Sequence, residues 1–375
     1  MHRIDHPLPP ISLNTARQIS SFHFGRAGVG EKVYIQASLH ADELPGMLTA
    51  WQLKQRLAAL EAEGRLLGEV VLVPVANPIG LDQNLNSVML GRFELASGQN
   101  FNRHYPAFAA DIFHELKAEL GQDAKANTRL IRERLRRKVA AIEPASELAA
   151  QRKTLMLLAC DADVVLDLHC DCAAAMHLYT GTPLWPQCEP LARYLGAAAT
   201  LLAEESGDNP FDEACSQLWW QVRDMAAAAN LDAAIDMACL AVTIELRGQA
   251  DVSHALAAQD ADAIIAFLQH RGVIAGTAPA LPELRYPATP LAGSDSLLAP
   301  HPGVVHYHLQ SGTIVAAGDA IADIIDPVND RVTTLRASRP GMLYATESRH
   351  YAITGQWLAK VATPESFKTG KLLSA

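Results

Sequence analysis

Residues 33–46 read Val-Tyr-Ile-Gln-Ala-Ser-Leu-His-Ala-Asp-Glu-Leu-Pro-Gly. The first half is a short, nearly continuous apolar run of the kind that forms strands buried on both faces. The second half carries His40 and Glu43 and then Pro45, which suits the first turn of a helix, where its missing N–H is not needed. The same form recurs along the chain. Val70 to Val75 precedes Asn77, Val164-Val-Leu-Asp-Leu168 precedes His169, and Ala241-Val-Thr-Ile244 precedes Glu245. Between these runs lie helical stretches, notably Leu48 to Leu60 and Ile112 to Leu158, with Arg132, Glu133 and Arg134 on a solvated face. Strands alternating with helices predict an α/β fold, a mixed, largely parallel sheet flanked by helices. Ligands of such sheets bind beyond the carboxyl ends of the strands. Each of the polar residues just named stands at such an end.

From about Ala288 the pattern changes to short β runs punctuated by glycine, such as Gly303-Val-Val-His-Tyr-His, Gly341-Met-Leu-Tyr and Trp357-Leu-Ala-Lys-Val. This predicts a small C-terminal all-β barrel or sandwich module. Its arrangement resembles a lipoyl or biotinyl carrier fold, yet Asp326-Pro-Val-Asn-Asp330 offers no hairpin lysine to modify. A structural or lid-forming role is expected instead. The expected organisation is an α/β domain over 1–285 that carries the loaded strand ends and a β-rich module over 286–375, joined through the proline-rich segment Thr277–Pro290.

With 375 residues, 49% hydrophobic and 19% charged, the chain has ample material for a core. A net charge of -10 argues against nucleic acid as a partner, which needs a basic face. No run of about 18 apolar residues predicts a membrane span. The first residues lack the basic start and apolar stretch of a secretory signal. The six cysteines show no disulfide framework, so a reducing cytoplasm is expected.

His40, Glu43 and His169 are two imidazoles and a carboxylate in the pattern His-x-x-Glu…His. Three nitrogen and oxygen ligands with a fourth position open are the usual set of a catalytic zinc. One Zn2+ per chain is therefore expected. Asp167 shares a strand face with His169 and can orient its imidazole or form a plain salt bridge. Cys170 and Cys172 are read as buried thiols. Glu245 is placed by topology to act as general base, the competing reading being an acid paired with Arg247. Arg92 and Arg103 lie in a turn-rich loop, where one guanidinium can hold a carboxylate and the other a developing oxyanion. Trp219 and Trp220 fit a pocket wall or the core. His306, His308, His350 and Tyr351 could reach the cleft from the β module.

Together these residues resemble the succinylglutamate desuccinylase and aspartoacylase family of the zinc carboxypeptidase-like superfamily, over most of residues 33 to 250. His40-Ala-Asp-Glu43 is similar to its His-Gly-x-Glu, with Ala41 in place of Gly. Asn77-Pro78-Ile-Gly80 resembles its Asn-Pro turn. Asn100-Phe-Asn102-Arg103 resembles its Asp-x-Asn-Arg, with Asn100 where Asp is common. The resemblance implies that His169 is the third ligand, Glu245 the base, Asn102 and Arg103 the binders of a substrate carboxylate, and Arg92 the group that polarises the scissile carbonyl. It implies a deacylase that cleaves the amide of a small N-acyl amino acid and leaves a homo-oligomer open. A zinc carboxypeptidase acting on short peptides, or a catalytically silent zinc-pocket binding protein, are the competing readings.

Overall fold

The apolar runs form strands. In the computed structural model, which describes residues 1–373, the strands β1 (His2–Pro7), β2 (Gln18–Gly25), β3 (Lys32–Ala37) and β4 (Glu69–Val73) come first, followed by a small hairpin of β5 (Asn84–Leu85) and β6 (Val88–Met89). Then come β7 (Val164–Asp171), β8 (Ala173–Ala174), β9 (His177–Gly181), β10 (Ala199–Ala203), β11 (Leu240–Gly248) and β12 (Thr289–Pro290). Except for β5, β6 and β8, these join one 9-stranded sheet in the order β1-β2-β4-β3-β7-β11-β9-β10-β12. It is parallel along β4-β3-β7-β11 and along β9-β10-β12, and antiparallel at β1-β2, β2-β4 and β11-β9. The expected mixed, largely parallel sheet is what the chain builds. The run from Val70 ends as a strand at Val73, because Pro74 has no N–H for a ladder.

Helices cover both faces: α1 (Pro45–Ala62), α2 (Pro78–Leu81), α3 (Ala109–Leu116), α4 (Ala124–Ala140), α5 (Glu147–Ala159), α6 (Trp185–Leu195), α7 (Phe211–Ala228) and α8 (His254–His270). Val33, Ile35, Leu166 and Leu168 pack against α1, α6 and α8, while Tyr34 and Val165 face α3, α4, α5 and α7. The stretch from Ile112 to Leu158 is not one helix but parts of three. Asp123 and Ser146 interrupt it by accepting the N–H groups of Ala126 and Ala149 at 3.0 and 3.1 Å, each starting a new helix.

Helix α1 has Pro45 at its start, as the sequence predicts. Gly46 follows at a close approach to β7, where an added Cβ would lie 2.8 Å from the Leu168 carbonyl oxygen and 3.3 Å from the Ala37 Cβ. Gly46→Ala must push the helix off the sheet beside His169, and a loss of about 1–3 kcal/mol is expected in urea unfolding. An unchanged midpoint would show that the contact yields freely.

The C-terminal strands are β13 (Ser294–Leu298), β14 (Gly303–Tyr307), β15 (Thr313–Val315), β16 (Ala320–Asp326), β17 (Arg331–Arg336), β18 (Gly341–Thr346), β19 (Tyr351–Ala352) and β20 (Trp357–Ala362). They form two antiparallel sheets, β13-β20-β18-β15 and β17-β16-β14-β19. The first also takes in β8, whose Ala174 pairs with Ala345. The β module is thereby stitched to the chain just after β7. A further apolar cluster joins Leu201 of β10 to Leu291, Met342 and Tyr344. Among the described residues no helix is long and apolar enough to cross a membrane.

Candidate active site

Parallel pairing brings the strand ends together. β3, β7 and β11 are neighbours, with Gln36 and Thr243 both in register with Asp167, and Glu245 in register with His169. Beyond β3 the chain turns sharply at Ser38, a buried non-glycine residue with φ +62°, a conformation that persists only where surrounding structure holds it. Asn77 provides part of that hold. Its Nδ2 donates to the Leu39 carbonyl at 2.8 Å, and its Oδ1 accepts the Gly80 N–H at 2.8 Å.

This turn places His40 and Glu43 against His169. His40 Nδ1 lies 2.9 Å from Glu43 Oε1, and His169 Nδ1 lies 2.8 Å from Glu43 Oε2. All three side chains are buried, and their ligand atoms lie within 4.8 Å of one another. The outer nitrogens also face polar neighbours. His40 Nε2 faces Asn100 Oδ1 at 2.9 Å, and Asp167 Oδ2 lies 2.9 Å from His169 Nε2. Asp167 is in turn fixed by Gln36 Nε2 at 3.0 Å, and Gln36 by the Tyr34 hydroxyl at 2.8 Å. No cysteine joins the group. Cys170 and Cys172 flank it as thiols that burial pushes up, Cys172 to about 12.

The protonation pattern tests whether a metal fits. Asn100 Oδ1 also accepts the Asn102 N–H at 2.8 Å, so it is the acceptor for His40, whose Nε2 must carry the proton. Burial, and then the Arg92 charge, lower the His40 imidazole to about 4, so it is neutral. Its Nδ1 lone pair therefore points at a carboxylate, an arrangement that asks for a cation between them. Burial alone would raise Glu43, but the two imidazoles pull it well below the ordinary range. Burial alone would lower His169, but the Asp167 and Glu43 carboxylates hold it well above. The donor set, with His40 Nε2 hydrogen-bonded to Asn100 and the Asp167 carboxylate 2.9 Å behind His169 Nε2, fits a metal ion.

A cavity of about 100 Å³ opens beside this group. His40, His169, Arg92, Asn102, Arg103 and Glu245 all line it. Arg92 reaches in from a half-exposed position, its guanidinium 3.5 Å from Glu43 Oε1 and 3.4 Å from His40 Nδ1. Arg103 is buried and donates to the Asn102 carbonyl at 2.7 Å, and Asn102 Oδ1 accepts the Phe211 N–H at 2.8 Å. Glu245 is not paired with Arg247, whose guanidinium bonds Asp260 at 3.0 and 2.5 Å. One Glu245 oxygen, Oε2, is buried without a hydrogen-bond partner. Burial, and then the Glu43 charge, push this carboxyl up to about 8.

The structure decides between the alternatives left open for the aromatic pair and for the β-module histidines. Trp219 and Trp220 are core residues, 1% and 3% exposed. His306, His308, His350 and Tyr351 do not line the cavity; His308 pairs with Asp323 at 3.2 Å, and His350 Nδ1 bonds the Val305 carbonyl at 2.9 Å. The β module instead reaches the cavity through Lys360 of β20, which pairs with Asp171 at 2.7 Å. Nothing local in the sequence marks Lys360, whose partner lies 189 positions away. Asp212 and Glu213, which open α7, also line the cavity. Their only sequence signal is an acidic pair where a helix begins.

The succinylglutamate desuccinylase/aspartoacylase catalytic domain, as a family model, matches residues 29–271. No curated protein matches the chain. Among solved structures, a protein of that family from Shewanella amazonensis SB2B is 27% identical, with a TM-score of 0.85 over 97% of this chain and 99% of the other. A counterpart from Shewanella frigidimarina NCIMB 400 is 25% identical, with a TM-score of 0.84 over 96% and 97%. The ectoine utilization protein EutE (DoeB) of Ruegeria pomeroyi shares the fold at 17% identity, with a TM-score of 0.68 over 96% and 94%.

Proposed function

This chain belongs to the succinylglutamate desuccinylase/aspartoacylase family, and on that premise we propose that it hydrolyses the amide bond of a small N-acyl amino acid or related N-acyl amine. His40, Glu43 and His169 would hold one zinc ion, for which two imidazoles and a carboxylate are an ordinary catalytic set. The observation that carries the reading is the convergence of both histidine Nδ1 atoms on Glu43 in the cavity that Glu245 also lines. The division into a catalytic region, 1–285, and a β-rich module, 286–375, is part of the proposal.

When bound, zinc lowers the pKa of water to about 7 and polarises a carbonyl. The remaining work falls to side chains of this chain. Glu245 takes the proton of the attacking water and returns it to the departing nitrogen, a task suited to a carboxyl raised toward neutrality. Arg92, beside Glu43, offers its guanidinium to the oxyanion. Asn102 Oδ1 is occupied by Phe211 N–H, which leaves Nδ2 to donate, with Arg103, to a substrate carboxylate. The cavity size and the intrusion of Lys360 favour a small substrate over an extended peptide.

The test is hydrolysis by zinc-reconstituted protein of N-acetyl and N-succinyl amino acids and short peptides, read as free amine. Release from an N-acyl amino acid is expected; cleavage of the peptides alone would replace the deacylase with a carboxypeptidase. Arg92→Ala should lower kcat by about 100- to 1000-fold, whereas Arg103→Ala should chiefly raise KM. Equal effects of both variants on KM would remove the oxyanion role from Arg92.

A further inference from the structure

Beyond β20 the chain returns to the cavity. It first runs along Ala292, whose carbonyl accepts the Phe367 and Lys368 N–H groups at 3.1 and 3.0 Å, and the Arg339 guanidinium lies 4.4 Å over the Phe367 ring. It then crosses to the loop that precedes α7. There Lys371 Nζ pairs with Asp208 Oδ2 at 2.8 Å, and the Leu372 N–H donates to the Ser206 carbonyl at 2.9 Å. Leu373 follows and lines the cavity beside Leu201, Ala203 and Leu291. Both leucines pack on the apolar cluster that joins β10 to the β module.

The loop is shaped to receive this segment. Gly207, Asp208 and Asn209 have φ of +109°, +58° and +48° in succession, a left-handed course that persists only where surrounding structure holds it. At Gly207 close contact adds a second reason, since an added Cβ would lie 3.1 Å from Lys371 Cγ. The same loop braces the stretch assigned to substrate binding. The carbonyls of Asp208 and Asn209 accept the N–H groups of His104 and Tyr105 at 2.7 and 3.1 Å, and the Phe211 N–H donates to Asn102 Oδ1 at 2.8 Å. Residues 371–373 therefore rest on the structure that positions Asn102 and Arg103.

We propose that residues 371–373 form a strap whose Leu373 limits the length of the side chain on the amine half of the substrate. In an amino acid that side chain leaves the carbon that bears the carboxylate. With the carboxylate on Asn102 and Arg103, the side chain is the part that the adjoining wall confines. This rests on the deacylase reading of the cavity and adds to it the element that measures the substrate. The strap is lightly held. Its ties to the loop are the Leu372 hydrogen bond and an ion pair whose Lys371 side chain is 67% exposed, a kind of pair that contributes little. A wall held in this way lifts to admit substrate and narrows the cavity when seated.

The experiment follows kcat/KM of the zinc-reconstituted protein along Nα-acetyl 2-aminobutyrate, norvaline, norleucine and 2-aminooctanoate. A fall of about 10-fold or more is expected between two successive members, the scale of one misplaced methylene in an apolar pocket. Leu373→Ala should raise the ratio of the first rejected member to the last accepted one by about 10-fold, chiefly through KM. Lys371→Ala, which leaves the cavity lining in place and loosens only the strap, should move the ratio in the same direction. Equal kcat/KM along the series, or a ratio that Leu373→Ala leaves unchanged, overturns the proposal. Hydrogen exchange at the Leu372 amide needs no turnover and separates this inference from the deacylase reading. Protection of about 10-fold or more over an unstructured chain, reduced by Lys371→Ala, supports the strap even if no member is hydrolysed. Exchange at the unstructured rate removes it.

Discussion

Replacing Glu245 with glutamine is expected to lower kcat by about 100- to 10,000-fold, the range a positioned general acid–base contributes, while zinc content stays at one per chain. The amide preserves shape but neither accepts the water proton nor delivers it to the leaving nitrogen. Glu245 is suited to that task by three features. It is in register with His169, one of its oxygens is buried without a partner, and Arg247, its nearest candidate counter-ion in sequence, is occupied by Asp260. Steady-state kinetics together with metal analysis decide the matter. Near-normal turnover with zinc bound would mean that another group moves the proton.

The second large effect is expected at His169. With His169→Ala the pocket keeps only one imidazole and one carboxylate, so zinc should fall well below one per chain and hydrolysis to background. The cavity left behind also exposes Asp167 to a buried site without its partner, an uncompensated charge that lowers stability. Asp167→Asn separates the two causes, because it leaves all ligand atoms in place and removes only the charge behind the ring. Loss of such an outer partner typically weakens metal affinity by about 10- to 100-fold. Competition titration with a chelating dye reads that change. Thermal melts with and without added zinc give a second readout, since an ion bound only by the folded state raises Tm. A His169→Ala protein that still takes up one zinc and gains the same Tm increment would remove His169 from the metal set.

Much of the candidate site was legible because its residues lie toward the carboxyl ends of strands, although β7 and β11 run on past His169 and Glu245 to Asp171 and Gly248. Buried parallel strands announce themselves as continuous apolar runs, and the polar residue that breaks each run lies toward the carboxyl edge of the sheet, where ligands of such folds bind. His40, His169 and Glu245 were visible for that reason, and Glu43 through its spacing from His40. Asn100 stands where the family pattern commonly has an acid. The structure shows its carbonyl oxygen holding His40 Nε2, a contact that does not require a charge. The division of the Ile112–Leu158 stretch into three helices rests on Asp123 and Ser146, ordinary N-cap residues whose effect is masked in the sequence by the helix formers around them.

By itself the sequence determined the class of fold, the four strands β3, β4, β7 and β11 that lead to the site, the β-rich character of the C-terminal region and the donor types available for a metal. Those follow from local properties: hydrophobic periodicity, turn residues and side-chain chemistry. Only the tertiary structure decided which distant groups meet. It brought Lys360 to Asp171 by pairing β18 with β8, sent Arg247 to Asp260 and away from Glu245, withdrew Trp219 and Trp220 into the core, and turned the first two acids of α7 into a cavity wall. Such contacts depend on how whole elements pack, and packing is settled by the sum of many weak interactions spread along the chain, which no short stretch of residues encodes.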